Sequence, residues 1–175
     1  MRVIGGEFRS RRLRTIPGMA TRPTPDRLRE TLFDILAARI QGVTFLDGYA
    51  GSGAVGIEAL SRGAARAIFL ERGRQAVEAI QQNLGSLGIG ERAEVVQGPV
   101  LRSLARYAAD IVFLDPPYDV HKEYGAALDL LGANPPGLVI VQHSVRLALE
   151  ASYGMLWRTR ILKQGDNALS FYSAE

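Results

Sequence analysis

Apolar positions follow two alternating patterns along most of the chain. Short runs that are apolar almost throughout are typical of strands buried on both faces. Five such runs lie at residues 43–47, 67–71, 93–97, 110–115 and 137–143. Between them, apolar residues recur every three or four positions, which predicts helices. These helices fall near residues 53–62, 74–87, 100–107 and 122–131. Strands and helices in this order predict a parallel sheet covered by helices on both faces.

The two ends of the chain depart from this alternation. Residues 155–162 and 168–172, joined across a Gly-Asp-Asn turn, predict an antiparallel β-hairpin that closes the sheet. Before the first strand, Thr24 as N-cap and Pro25 at the first helical position predict a helix that runs to about Ile40.

Two strand-like pieces, residues 2–4 and 12–15, precede this helix and predict a short hairpin. We therefore expect an N-terminal extension over residues 1–22. A doubly wound α/β domain with an antiparallel edge is expected over residues 23–175.

Charge is unevenly distributed along the 175 residues, whose formal net charge is +3. Six arginines and one acid, Glu7, fall in the first 22 residues. The six are Arg2, Arg9, Arg11, Arg12, Arg14 and Arg22. Clustered guanidinium groups attract a phosphate backbone. A solvated chain terminus would carry the same charges, so this cluster alone does not separate the two interpretations.

Composition excludes several classes of protein. The chain has no cysteine and two histidines, so we expect neither a disulfide framework nor a metal site. The sequence contains no apolar stretch long enough to span a bilayer and no charged-then-apolar leader. These features predict a cytoplasmic protein without a membrane partner.

A glycine-rich loop follows the first predicted strand. Asp47 ends the strand, and Gly48, Ala50, Gly51 and Gly53 lie in the loop, where glycine lets the backbone approach a ligand closely. The spacing also fits a dinucleotide site, with Glu71 about 20 residues further on. A glycine turn without any ligand is a third interpretation.

The acid at the strand end favours a different ligand. Asp47 would repel the pyrophosphate of a dinucleotide. It would attract the amine and sulfonium of S-adenosylmethionine, and Glu71 would accept hydrogen bonds from ribose hydroxyls. We therefore favour a methyl-donor site over a dinucleotide site.

The fourth strand ends in a second motif, Asp115, Pro116, Pro117 and Tyr118. An exocyclic amino group of a base is a poor nucleophile, because its lone pair is delocalised into the ring. A carboxylate and the carbonyl of Pro116 could each accept one of its N–H groups and direct the lone pair at a methyl group. Two prolines stiffen the turn, and Tyr118 could stack on a flipped base. We predict that these four residues are catalytic.

Together these motifs make the chain resemble the bacterial 16S rRNA guanine-N2 methyltransferases of the RsmD type. The resemblance spans nearly the whole length. It is carried by residues 2–6, 21–33, 46–64, 115–118 and 165–172. The tetrapeptide at 115–118 is shared with adenine and other amino methyltransferases, so it indicates the chemistry only. The block at 21–33 and the long glycine loop are much more specific.

The resemblance implies a class I S-adenosylmethionine-dependent methyltransferase fold. This fold is Rossmann-like, with a mostly parallel seven-stranded sheet that ends in an antiparallel hairpin. The implied donor is S-adenosylmethionine, with S-adenosylhomocysteine as product. The implied substrate is the N2 amino group of a guanine in 16S rRNA or the small ribosomal subunit, and we expect a monomer.

The resemblance also assigns roles outside the two motifs. Arg22 and Thr24 would lie over the active site. Arginines of the N-terminal extension would grip RNA, namely Arg2, Arg9, Arg11, Arg12 and Arg22. Around the cofactor the chain departs from the usual pattern at two places. Arg72 follows Glu71 where relatives commonly carry another polar or acidic residue, and Gln97 and Gly98 stand where many class I enzymes place an acid. Adenine would then be contacted by the side chain of Gln97 or by backbone near Gly98.

Three alternatives stay open from the sequence. The first is an adenine-N6 methyltransferase acting on DNA or RNA, which would use the same tetrapeptide. The second is a non-catalytic RNA-binding assembly factor with this fold. The third is a dinucleotide oxidoreductase.

Overall fold

The computed structural model describes residues 1–18, 24–117 and 120–174. Its five α-helices are α1 (Asp26–Leu36), α2 (Ala54–Ser61), α3 (Arg74–Leu87), α4 (Val100–Leu104) and α5 (His121–Ala133). Its strands are β1 (Thr44–Gly48), β2 (Arg66–Glu71), β3 (Ala93–Gln97), β4 (Ile111–Leu114), β5 (Leu138–Ser144), β6 (Ser152–Tyr153), β7 (Leu156–Gln164) and β8 (Asn167–Ser173).

These strands form one twisted sheet in the order β3-β2-β1-β4-β5-β8-β7-β6. The first five strands in this order are parallel, and the pairs that involve β6, β7 and β8 are antiparallel. The Rossmann-like α/β architecture with its C-terminal hairpin is therefore confirmed. The sheet has eight strands instead of the predicted seven. The additional strand is β6, whose two residues are too few to show a periodic pattern.

Strand order reverses between β1 and β4, which lie side by side although β2 and β3 separate them in sequence. Asp47 is in register with Phe113, and Gly48 with Leu114. The turns that follow the two strands therefore leave the sheet next to each other. In open α/β sheets, such a switch point is where ligands bind.

Helices cover both faces of the sheet. One apolar core joins α1, α2 and α3 to the face that carries Phe45, Phe69 and Phe113. The other joins α4 and α5 to the opposite face, which carries Leu46 and Val112. The alternation of adjacent residues between two cores explains why the strands read as apolar throughout.

Helix α1 differs from its prediction at both ends. Pro25, rather than Thr24, occupies the N-cap position, and no side chain caps the helix, so the prediction of Thr24 as N-cap was wrong. The helix ends at Leu36 instead of near Ile40. Ile40 is buried even so, because the turn after α1 returns its side chain to the core.

The predicted N-terminal hairpin is present in its smallest form, an antiparallel bridge between Arg2 and Arg12. Val3 and Leu13 beside the bridge are buried in the same core as α1 and α2. The segment thus packs against the α/β domain through apolar side chains. Arg2, Arg9, Arg11 and Arg12 are exposed on it.

A buried ion cluster fastens this segment to the domain. The carboxylate of Glu58 on α2 accepts hydrogen bonds from the backbone N–H groups of Ile4 (2.9 Å) and Gly5 (2.8 Å). It also accepts one from Arg62 Nε at 2.8 Å and pairs with Arg29 Nε at 3.7 Å. Glu58 and Arg29 are both fully buried.

Within the described part of the chain, no helix has the length and apolarity needed to cross a membrane.

Candidate active site

A cavity of about 760 Å³ opens at the carboxyl edge of the sheet, where β1 and β4 lie side by side. Its walls come from the glycine loop after β1, the end of β2, the turn after β4 and the first turn of α5. On one side the wall is formed by Thr24 and by three residues of the N-terminal segment, Met1, Thr15 and Ile16. Nine of the predicted site residues line this one cavity. They are Thr24, Asp47, Ala50, Gly51, Glu71, Arg72, Asp115, Pro116 and Pro117.

Asp47 is the most deeply placed charged group of the cavity wall. Its side chain is 1% exposed, and its Oδ2 accepts a hydrogen bond from the Gly56 N–H at 2.9 Å. Burial raises the pKa of Asp47 well above its ordinary value, and the nearby charges of Asp115 and Glu71 raise this pKa further. With Glu123, four carboxylate residues line this one cavity, which favours a cationic ligand.

The glycine loop turns sharply between Asp47 and α2. Gly53 is the N-cap of α2 and has φ 85°, a left-handed conformation that favours glycine. A Cβ atom at Gly48 would approach Leu114 Cδ2 to 2.8 Å, so glycine allows β1 and β4 to pack closely at the switch point. Gly48 and Gly53 therefore shape the loop from behind, and neither lines the cavity.

Glu71 holds the loop in place from the end of β2. Its Oε1 accepts a hydrogen bond from the Gly51 N–H at 2.9 Å, and its Oε2 accepts one from the Gly73 N–H at 2.6 Å. Each carboxylate oxygen has a further lone pair, so both can still accept from a hydroxyl in the cavity. The neighbouring side chain of Arg72 is exposed and also lines the cavity.

The turn after β4 is tied directly to the glycine loop. The Asp115 N–H donates to the carbonyl oxygen of Gly48 at 3.3 Å. Pro116 is buried, and its carbonyl oxygen accepts a hydrogen bond from the Tyr124 hydroxyl at 3.2 Å. Pro117 is exposed at the cavity mouth. Tyr118 and Arg22, both predicted site residues, lie outside the described residues.

Of the predicted adenine contacts, Gln97 and Gly98 themselves do not line the cavity. Gln97 is exposed at the end of β3, and the Gly98 N–H donates to the backbone oxygen of Glu71 at 3.0 Å. The wall is formed at this point by Pro99, Val100 and Leu101. This part of the wall therefore includes Pro99, the residue next to Gly98, together with the apolar side chains of Val100 and Leu101.

Comparisons with known proteins agree with this geometry. A family model described as "Conserved hypothetical protein 95" matches residues 1–173. YlbH of Bacillus subtilis, described as a candidate rRNA methyltransferase, is 34% identical over 98% of both chains. Ribosomal RNA small subunit methyltransferase D of Escherichia coli is 44% identical over 67% of this chain and 60% of its own length. The chain therefore belongs to the family of ribosomal RNA small subunit methyltransferase D, the RsmD family.

A solved structure supports the same assignment. The candidate methyltransferase YhhF of Escherichia coli superposes with a TM-score of 0.88 at 36% identity, covering 100% of this chain and 98% of that one. S-adenosylmethionine is the methyl donor of the family. Its cationic amine and sulfonium fit the buried carboxylate of Asp47, and the apolar wall at Val100 and Leu101 fits a flat ring. The residues present therefore suit the donor.

Two residues of this RsmD-family cavity were not predicted. Tyr49 lies in the glycine loop with φ 63°, and its hydroxyl donates to Glu123 Oε2 at 2.5 Å. Burial, followed by this hydrogen bond, raises the pKa of Tyr49. Both residues line the cavity, although 74 positions separate them. The sequence signal that could have indicated Tyr49 is a single aromatic residue in a loop otherwise made of small residues.

Proposed function

We propose that this protein transfers a methyl group from S-adenosylmethionine to the N2 amino group of a guanine in 16S rRNA. The observation that carries the proposal is the shared cavity. Asp47 and Glu71 on the donor side and Asp115 and Pro116 on the acceptor side line the same 760 Å³ space. A carboxylate at each end suits a cationic donor and an N–H-donating acceptor respectively.

The acceptor side would work by orienting the amino group. The Asp115 carboxylate accepts one N–H of the exocyclic amine, and the Pro116 carbonyl accepts the other. A carbonyl oxygen has two lone pairs, so the bond from Tyr124 leaves one available. The nitrogen lone pair would then point at the methyl group, and Asp115 would take the proton that the amine loses as S-adenosylhomocysteine leaves.

The donor side would bind by charge and shape. Asp47 pairs with the positive amine, Glu71 accepts from ribose hydroxyls, and the glycine loop lets backbone approach the ligand. When bound, S-adenosylmethionine supplies an electrophilic methyl group on a sulfonium. Arg72 lines the cavity on this side, whereas Gln97 and Gly98 do not.

RNA would bind along the N-terminal segment, which contributes Met1, Thr15 and Ile16 to the cavity wall. Arg2, Arg9, Arg11 and Arg12 are exposed on this segment, although none of the four lines the cavity. Arginine forks bind phosphate oxygens in two-point contacts. Arg22 and Tyr118 are proposed from sequence alone as an RNA contact and a stacking platform for the flipped base.

Nucleoside mapping tests the proposal. Small ribosomal subunits lacking base methylation are incubated with the protein and isotopically labelled S-adenosylmethionine, and the digested rRNA is analysed by mass spectrometry. We expect label in N2-methylguanosine at one position. Label in N6-methyladenosine would show an adenine methyltransferase instead, and absence of label with intact RNA binding would show a non-catalytic assembly factor. NADH titration provides the control for a dinucleotide site, and we expect no binding.

A further inference from the structure

The first turn of α5 touches both halves of the active site through two consecutive residues. Glu123 accepts the hydrogen bond from Tyr49 in the glycine loop at 2.5 Å. Tyr124, 1% exposed, donates to the Pro116 carbonyl in the catalytic turn at 3.2 Å. One helical turn is thus bonded to the loop on the donor side and to the turn on the acceptor side.

We propose that Glu123 and Tyr124 form a clamp that sets the distance between the methyl donor and the amino group that receives the methyl. The inference rests on the proposed function. In this view Tyr124 is a positioning residue, because its hydroxyl acts on the substrate through the Pro116 carbonyl. Glu123 is a positioning residue that acts through Tyr49.

Helix α5 is suited to this task because it is anchored elsewhere. Ala127, Leu128 and Leu131 are buried in the core under β4 and β5, so the helix axis is fixed by packing. The two hydrogen bonds at its first turn then hold the glycine loop and the turn after β4 in fixed positions relative to the helix. Methyl transfer requires an in-line arrangement of nitrogen, carbon and sulfur, which is sensitive to such positioning.

The Tyr124 hydroxyl also limits how the Pro116 carbonyl can be used. By occupying one lone pair, it leaves a single acceptor direction for the substrate N–H. Without that bond, the carbonyl could tilt or accept from water. The amino group would then be held by Asp115 alone.

Tyr124→Phe tests the clamp, with Tyr172→Phe as a matched control. Tyr172 is fully buried too, and its hydroxyl donates to the Glu150 carbonyl oxygen at 2.8 Å. Each variant therefore removes the hydrogen bond from a buried tyrosine to a backbone carbonyl, but Tyr172 lies outside the cavity. The measurements are the single-turnover rate at saturating donor and rRNA, the Kd for S-adenosylhomocysteine, and the melting temperature.

We expect Tyr124→Phe to lower the single-turnover rate about tenfold, since a misplacement of about 1 Å can cost roughly 100-fold. The Kd of this variant and its melting temperature should match those of Tyr172→Phe, whose rate should equal that of the wild type. Tyr49→Phe, which releases Glu123, should lower the same rate, and the double variant Tyr49→Phe/Tyr124→Phe should show non-additive losses.

Equal rates in Tyr124→Phe and Tyr172→Phe would overturn the clamp and leave the proposed function intact. A loss in Tyr124→Phe that appears entirely in Kd would also overturn it. If the wild-type protein methylates no small-subunit rRNA, the proposed function fails and the clamp with it.

Discussion

Asp47 and Glu58 are both buried carboxylates, yet their surroundings are opposite. Glu58 is surrounded by donors, with two backbone N–H groups and two arginines around its oxygens. Asp47 has one donor among the described residues, the Gly56 N–H, and its charged neighbours in the cavity are the carboxylates of Asp115 and Glu71. A buried charge whose partners come from its own chain serves the fold, whereas one that lacks them is suited to a ligand.

Asp115 should show the largest effect of any single change. Asp115→Ala removes the acceptor for the substrate amine, so we expect methyl transfer to fall about 1,000-fold, in the range of a lost positioned catalytic group. The backbone bond from residue 115 to Gly48 survives the change, so the Kd for S-adenosylhomocysteine should change less than about threefold. Quench-flow kinetics and calorimetry measure the two. Near-normal turnover would show that the acceptor side has been misidentified.

Glu58→Gln probes the carboxylate that serves the fold. The amide cannot balance the buried charge of Arg29, so we expect unfolding free energy to fall by about 3 kcal/mol. Chemical denaturation measures the loss. Hydrogen exchange at the Ile4 and Gly5 amides, which donate to Glu58, should quicken more than exchange in β8. A loss below about 1 kcal/mol would mean that the cluster contributes little to stability.

Asp47→Asn should weaken binding of the methyl donor but raise the stability of the ligand-free protein. The amide oxygen can still accept from the Gly56 N–H, but the charge that would pair with the donor amine is lost. We expect affinity for S-adenosylmethionine to fall by about 2 kcal/mol, roughly 30-fold. The ligand-free variant should unfold at a higher temperature than the wild type, because an uncompensated buried charge is gone. Unchanged affinity would contradict the assignment of Asp47.

The raised pKa of Asp47 adds a smaller, pH-dependent effect. Binding of a cationic donor needs Asp47 charged, so affinity should weaken as pH falls through the raised pKa, by up to about tenfold per pH unit. Asp47→Asn should remove this slope.

The same shift affects stability with a defined sign. A folded-state pKa above the unfolded one favours the folded state at low pH, and this contribution is lost as pH rises through the folded pKa. The stability advantage of Asp47→Asn over the wild type should therefore grow with pH and vanish in acid. Denaturation of the ligand-free proteins across pH measures it, and a constant difference would show that Asp47 does not titrate as described.

Local patterns were enough to predict most elements and the residues at strand ends. The bounds of α3 and β3 match their predictions, and Asp47, Glu71 and Asp115 reach the cavity as expected, because parallel strands bring their carboxyl ends to one edge. Gln97 also ends a strand, but β3 is at the edge of the sheet, and its last side chain is exposed. The end of a strand predicts the edge of the sheet that a residue occupies, but not how far it lies from the switch point.

By itself, then, the sequence determined the alternation of strands and helices, the glycine loop and the chemistry of the Asp-Pro-Pro turn, since each depends on residues close together in the chain. Only the tertiary structure decided which distant groups meet. Tyr49 reaches Glu123 across 74 positions, and Ile4 reaches Glu58 across 54. Such pairs leave no periodic signal in the chain, because they depend on strand order and on the packing of α2 and α5 against the sheet.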